Sequence, residues 1–159
     1  MQQKNITVNI TEYLFSELIE SDRLLVEKAR EAATMAYAPY SDFHVGAAVM
    51  LENQQIIQAN NQENVAYPSG LCAERIAVFY ANAVYPETAI VAIAITAMKK
   101  GKITVNPVYP CGACRQVLLE SEIRFGKSMR ILMAGATKID MVQSASDLLP
   151  MNFDHKFLV

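Results

Sequence analysis

The sequence predicts an α/β domain in which helices pack on both faces of a mixed sheet. Three observations carry that prediction. Helical and strand-like patterns alternate along the chain instead of falling into separate blocks. Residues 89–98 are almost continuously apolar and rich in Ile, Val and Thr, as a central strand buried on both faces would be. No repeat, low-complexity tract or Pro/Gly/Ser-rich linker divides the 159 residues, a length that suits one domain with a proper core.

Residues 1–18 read as an N-terminal extension to a domain covering 19–159. Within the extension Ile6, Val8 and Ile10 alternate as in a strand, and Tyr13-Leu14-Phe15 follows. Ser21 or Asp22 can cap a helix reaching about Tyr37, with Leu25, Ala29, Ala32 or Ala33, and Ala36 on one face. Pro39 ends it. Residues 43–52 and 55–60 predict two strands joined near Asn53-Gln54. A loop over 61–70 leads into a helix starting at Leu71 or Cys72, which carries Ile76, Val78, Phe79 and Ala83 and stops before Pro86. After the central strand, Lys99-Lys100-Gly101-Lys102 marks a solvated turn. A loop to Pro110, a helix over 112–122 and strands near 129–134 and 139–143 come next. Leu148-Leu149-Pro150 predicts a short turn before an irregular tail.

Bulk properties narrow the function. A chain that is 52% hydrophobic and 19% charged is globular and not extensively disordered. A net charge of −2 argues against a nucleic-acid chain as partner, because such binding needs a cationic surface to displace counterions. A small, neutral or weakly charged substrate fits better. Met1-Gln2-Gln3-Lys4-Asn5 lacks the apolar run and cleavage site of a secretory signal, and 89–98 is too short to span a bilayer as a helix. No membrane partner is expected. Three cysteines, an odd number, favour reduced thiols and a cytoplasmic location.

Those cysteines carry the chemistry. Cys72 stands in Cys72-Ala73-Glu74-Arg75, and Cys111 and Cys114 stand in Pro110-Cys111-Gly112-Ala113-Cys114-Arg115-Gln116. Three thiolates can hold one zinc ion and leave its fourth position for water, as in catalytic sites; structural sites are closed by four protein ligands. Both motifs fall at predicted helix starts, whose unpaired N–H groups and partial positive charge favour thiolate over thiol. Pro110 suits such a start, since its missing N–H costs nothing there. Three thiolates more than neutralise Zn²⁺, so hydrogen bonds to sulfur should restore some acidity; Arg75, beside the first ligand, is the better candidate for this than Arg115. Arg115 and Gln116 otherwise brace the helix start. Glu74 is placed to move protons, and a dry pocket would raise its pKa into the useful range. Taken alone, Cys111 and Cys114 would also suit a redox pair, or half of a structural site closed by His44 or His155.

Through these motifs the chain closely resembles the small, three-cysteine, homotetrameric, zinc-dependent cytidine deaminases. Two further segments carry the likeness: Pro39-Tyr40-Ser41-Asp42-Phe43-His44-Val45-Gly46-Ala47-Ala48 and Asn61-Gln62-Glu63-Asn64-Val65-Ala66-Tyr67. The resemblance runs from about Leu24 to Phe153. It implies a three-layer α/β/α sandwich around a mixed sheet of about five strands. It also implies hydrolysis of the 4-amino group of cytidine or deoxycytidine to give uridine or deoxyuridine and ammonia, as in pyrimidine salvage. By the family pattern Cys72, Cys111 and Cys114 ligate Zn²⁺, and Glu74 contacts ring N3 and relays protons. The Ala73 N–H holds the base O2, and a carbonyl near Tyr109 meets the departing amino group. Asn61 and Glu63 hydrogen-bond the ribose, Phe43 packs on the base, and Phe153 reaches a neighbouring subunit's site, as Tyr67 does. A homotetramer is therefore expected. Rival readings are a deaminase of a cytosine-containing antibiotic such as blasticidin S, a nucleic-acid-editing deaminase, and a non-catalytic zinc module that binds the metal without releasing ammonia. The absent basic channel weighs against the editing enzyme.

Overall fold

The structure is a computed structural model and describes residues 1–153 and residue 158. In chain order it contains β1 (Thr11–Leu14), a 3-10 turn (Phe15–Glu17), α1 (Glu20–Ala33), β2 (Phe43–Leu51), β3 (Ile56–Asn60) and a second 3-10 turn (Tyr67–Ser69). There follow α2 (Ala73–Val84), β4 (Ile90–Lys99), β5 (Lys102–Ile103), α3 (Gly112–Phe125), β6 (Arg130–Ala134), β7 (Lys138–Val142) and α4 (Ala145–Leu148).

Period-2 alternation explains the layers. Ala47 and Val49 of β2, Ile93 and Ile95 of β4, and Ile131 and Met133 of β6 face α2, α3 and α4. Their neighbours Ala48, Ala92, Ala94, Leu132 and Ala134 face α1 through Leu25, Val26 and Ala29. Each fully buried Leu or Ile contributes about 1.5–3 kcal/mol to this sandwich. Small residues let α1 lie close on the sheet: a Cβ added at Gly46 would stand 2.0 Å from the Ala29 carbonyl oxygen. The strands run in the order β1-β7-β6-β4-β2-β3, with β5 paired to β4, which makes seven among the described residues. The five strands from β7 to β3 form the expected sheet, while β1 and the two-residue β5 add to it. Of the strands among the described residues, only β4 and β6 pair in parallel, and α3 makes the crossover between them.

Several elements differ from expectation for visible reasons. The N-terminal strand lies at Thr11–Leu14 and not over 6–10. Thr11 pairs with Met141 near the end of β7, and beyond Val142 the chain turns toward α4, so residues 6–10 have no strand opposite them. α1 begins two or three residues earlier than a Ser21 or Asp22 cap would allow, with Ile19 as its cap, because Asp22 turns inward, buried, to the Arg130 guanidinium at 2.9 Å. It stops at Ala33, since the Tyr37 backbone is taken by residues 61 and 63: Tyr37 N–H donates to the Asn61 carbonyl and the Tyr37 carbonyl accepts from Glu63 N–H. The turn near Leu148 is the short helix α4, held to α3 by buried Glu122, whose carboxylate accepts from the N–H groups of Met129 and Ala145 and from the Ser144 hydroxyl.

Candidate active site

Two helix starts on one face of the sheet build the centre. Cys72 is the N-cap residue of α2 and Cys111 that of α3, both with extended backbone, and Cys114 sits in the first turn of α3. Pro110 therefore precedes the cap and is not the first helical residue. Its fixed φ still directs the chain into the cap. Buried Ala73, Ala77 and Val78 of α2 and Leu118 of α3 lock both helices into the core, so the cysteines inherit the rigidity of the packing.

All three thiols are free, and their sulfurs lie within 4.8 Å of one another, with Cys111 and Cys114 at 3.5 Å. Zinc–sulfur bonds of about 2.3 Å in tetrahedral array require sulfurs about 3.8 Å apart, so this triad fits zinc. Among the described residues no histidine joins it. His44 lies on β2 beside Asp42 at 3.4 Å, and His155 falls outside the described residues. The Cys72 thiol is pulled down to about 5, chiefly by the hydrogen bond it accepts from Cys114 and then by Arg75. Cys114, the donor in that bond and buried, is pushed up. Metal binding removes the proton they share.

Glu74, second residue of α2, is 5% exposed, and burial pushes its carboxyl up. The Arg75 guanidinium reaches the Cys72 sulfur at 3.7 Å. Arg115 turns elsewhere: it donates to the Pro110 carbonyl at 2.8 Å and the Leu148 carbonyl at 2.9 Å, stapling the α3 start to α4. Gln116 donates to the Phe153 carbonyl at 3.1 Å.

A cavity of about 600 Å³ opens at the cysteines and brings most of the expected residues together. Cys72, Glu74, Arg75 and Cys111 line it with Phe43, Asn61, Glu63 and Tyr109. Ala73 is buried at the first position of α2, where its N–H has no intrahelical acceptor. Phe153 is 61% exposed and lies outside the lining. Tyr67 stands at the rim of its own chain's cavity, edge-on to Tyr40 at 6.3 Å.

Hydrogen bonds shape the loop side. Asn61 extends the β2–β3 ladder with its side chain: its amide oxygen accepts from Val45 N–H at 2.7 Å and its amide nitrogen donates to the Phe43 carbonyl at 3.0 Å. One N–H and one lone pair remain for a ligand. The Glu63 carboxylate accepts from Tyr40 N–H at 2.8 Å and from both the N–H and the hydroxyl of Ser41. The Ser41 hydroxyl, then the Tyr40 N–H, hold that carboxyl below the usual range. Ser41 Oγ also accepts from Phe43 N–H at 3.0 Å, across Asp42 in the left-handed region at φ 52°. Sequence reasoning missed Ser41, though Ser two residues before a strand start is a known turn former. It also missed Asp140, which accepts from the Tyr109 hydroxyl at 2.6 Å.

Comparison with known proteins agrees with this geometry. Residues 19–126 match the family model described as the cytidine and deoxycytidylate deaminase zinc-binding region. A cytidine deaminase of Halalkalibacterium halodurans is 44% identical over 100 residues, covering 62% of this chain and 70% of that protein. The crystal structure of a cytidine deaminase from Burkholderia pseudomallei superposes with a TM-score of 0.65 at 38% identity, over 82% of this chain and 97% of that one. A blasticidin-S deaminase of Bacillus cereus is 34% identical over 101 residues, covering 62% of this chain and 71% of that protein.

Proposed function

The chain belongs to the cytidine and deoxycytidylate deaminase family, and we propose that it is a zinc-dependent hydrolase converting cytidine and deoxycytidine to uridine and deoxyuridine with release of ammonia. The observation that carries this reading is the meeting of three thiols with a buried carboxyl, Glu74, in one cavity. Cys72, Cys111 and Cys114 would hold zinc, which would supply the Lewis acidity that lets water act as a nucleophile near neutral pH. Glu74 takes a proton from the attacking water, delivers it to ring N3, and carries the second proton to the amino group as the C4–N4 bond breaks. Ala73 N–H holds the base O2, and Phe43 packs on the ring. Arg75 tempers the charge on the Cys72 sulfur.

Asn61 and Glu63 read the sugar with the hydrogen-bonding capacity their loop contacts leave free. A site built for a hydroxyl rejects ligands lacking it, so free cytosine is a poor substrate. The Glu63 charge repels a phosphate on the sugar, so nucleotides are poor as well. Blasticidin S, which replaces the ribose with a different ring, should fall between these extremes.

The active unit is a homotetramer in the cytoplasm. Phe79, Tyr80 and Val84 on α2 are exposed, and between α2 and α3 the buried Asn82 Oδ1 and Ser121 Oγ atoms have no hydrogen-bond partner among the described residues. Docking of a second copy would cover the first set and satisfy the second. Phe153 and Tyr67 then complete a neighbour's pocket. Reduced thiols suit the cytoplasm, and among the described residues no helix is long and apolar enough to cross a membrane.

The test is an ultraviolet assay of the zinc-loaded protein with cytidine, cytosine, cytidine monophosphate and blasticidin S, beside Glu74→Ala. Rapid loss of cytidine by the wild type alone is expected. Zinc binding with no ammonia release from any substrate would instead assign a non-catalytic zinc module.

A further inference from the structure

The wall of the cavity between β5 and α3 is held in an unusual way. Among the described residues, no backbone–backbone hydrogen bond fixes residues 105–110, yet Val108 and Tyr109 line the cavity. The segment lies flat on the β6–β7 turn: a Cβ added at Gly135 would stand 2.6 Å from the Val105 carbonyl oxygen. Side chains do the rest. Thr104 donates to the Asn106 carbonyl at 3.0 Å, Arg115 to the Pro110 carbonyl at 2.8 Å, and the Tyr109 hydroxyl to Asp140 Oδ2 at 2.6 Å.

Of these, only the Tyr109–Asp140 bond crosses from the loop to a strand of the sheet. Asp140 is the middle residue of β7, opposite Met133 on β6 and Glu12 on β1. Asp is poorly suited to a strand interior, and here it faces a phenol that lines the site. The bond is short and charge-assisted, the stronger class of hydrogen bond. It keeps the hydroxyl protonated, raising the Tyr109 pKa, with the Glu12 charge adding to the effect.

We propose that Asp140 is a positioning residue for the deamination: by gripping the Tyr109 hydroxyl it sets where the 108–110 backbone stands in the cavity wall, and with it the carbonyl that meets the departing amino group. The inference rests on the reading of this cavity as a cytidine deaminase site. Its consequence is specific. The amino group becomes a leaving ammonia only as the reaction proceeds, so a displaced carbonyl weakens transition-state binding more than substrate binding. A wall moved by less than an ångström lowers kcat and leaves KM nearly unchanged.

The experiment compares Tyr109→Phe, Asp140→Ala, Asp140→Asn and the double variant Tyr109→Phe/Asp140→Ala, each with zinc content measured. Tyr109→Phe and Asp140→Ala should each lower kcat about tenfold at full zinc content, with KM within about twofold. The double variant should lose no more than the worse single one, because both cut one bond. Asp140→Asn should recover most of kcat, since its amide oxygen still accepts. If Asp140→Ala does not fold, Tyr109→Phe and Asp140→Asn carry the comparison, since each keeps the shape of the residue it replaces. Unchanged kcat in Tyr109→Phe, or losses that multiply in the double variant, would overturn the positioning role while wild-type turnover upholds the deaminase reading. A wild type that releases no ammonia from cytidine would overturn that reading, and the role with it.

Discussion

The two sides of the cavity are built on opposite principles. On the cysteine side, Cys72, Glu74, Cys111 and Cys114 occupy the first turns of α2 and α3, and core packing beneath those helices fixes them. On the loop side, Phe43, Ser41, Asn61 and Glu63 lie at strand ends and in turns, and side-chain hydrogen bonds to backbone fix them. The difference separates two demands. Bond breaking needs groups placed to within fractions of an ångström, which helices packed in a core supply. Recognition of a small polar sugar needs donors and acceptors with spare capacity, which partly satisfied loop residues supply.

If the division is real, damage to the cysteine side removes chemistry outright and damage to the loop side erodes affinity. Metal loss comes first. Cys72→Ala or Cys111→Ala should release zinc and lower kcat by more than about 10⁴-fold, and chelation of the wild type should do the same reversibly; metal analysis beside the assay checks both. Next comes Glu74→Gln, which should retain zinc and lower kcat by about 10²–10⁴-fold with a modest change in KM. A large KM effect with kcat intact would move Glu74 to the recognition side and break the comparison. Third is Asn61→Ala, which strands Val45 N–H and the Phe43 carbonyl at the end of β2. Each stranded group costs about 1–3 kcal/mol where it is buried, so melting temperature should fall. KM should rise about tenfold, more than kcat falls, if the same side chain reads the sugar as proposed.

The same division explains what the sequence made legible. Strand and helix order followed from alternation and from the apolar run of β4, and the metal site followed from cysteine spacing at helix starts, all of which are local patterns. What escaped depends on partners far along the chain. Asp22 looked like a cap, but it is taken by Arg130 more than a hundred residues away. Residues 6–10 have strand periodicity without a partner strand, so pattern alone misplaced β1. Arg75 and Arg115 are indistinguishable by residue type. Position beside the first ligand singled out Arg75 for the sulfur, where the fold sends it, but nothing local showed that Arg115 would staple two carbonyls. Ser41 and Asp140 carry no signal beyond a plausible turn and an ill-suited strand residue.

Ser41 therefore offers the finest test, because one oxygen ties the Glu63 carboxylate, proposed to read the sugar, to the backbone N–H of Phe43, proposed to pack on the base. In Ser41→Ala, Glu63 keeps the Tyr40 and Ser41 N–H groups but loses the hydroxyl that most lowers its pKa, and Phe43 N–H loses its acceptor. KM for cytidine at neutral pH should rise only about two- to threefold, the effect of one exposed hydrogen bond. Its pH dependence should move more visibly. A depressed folded pKa means that the Glu63 contribution is fully present above the ordinary carboxylate range and is lost as pH falls through the folded value. Without Ser41 that value rises toward normal, so the variant should melt below the wild type at neutral pH, and the gap should narrow as pH falls through the carboxylate range toward the folded value. Melting curves taken from pH 7 down to pH 4 on both proteins read the shift directly. Coincident curves would mean that the loop is held by the two backbone donors alone, and that the recognition side is as over-determined as the cysteine side.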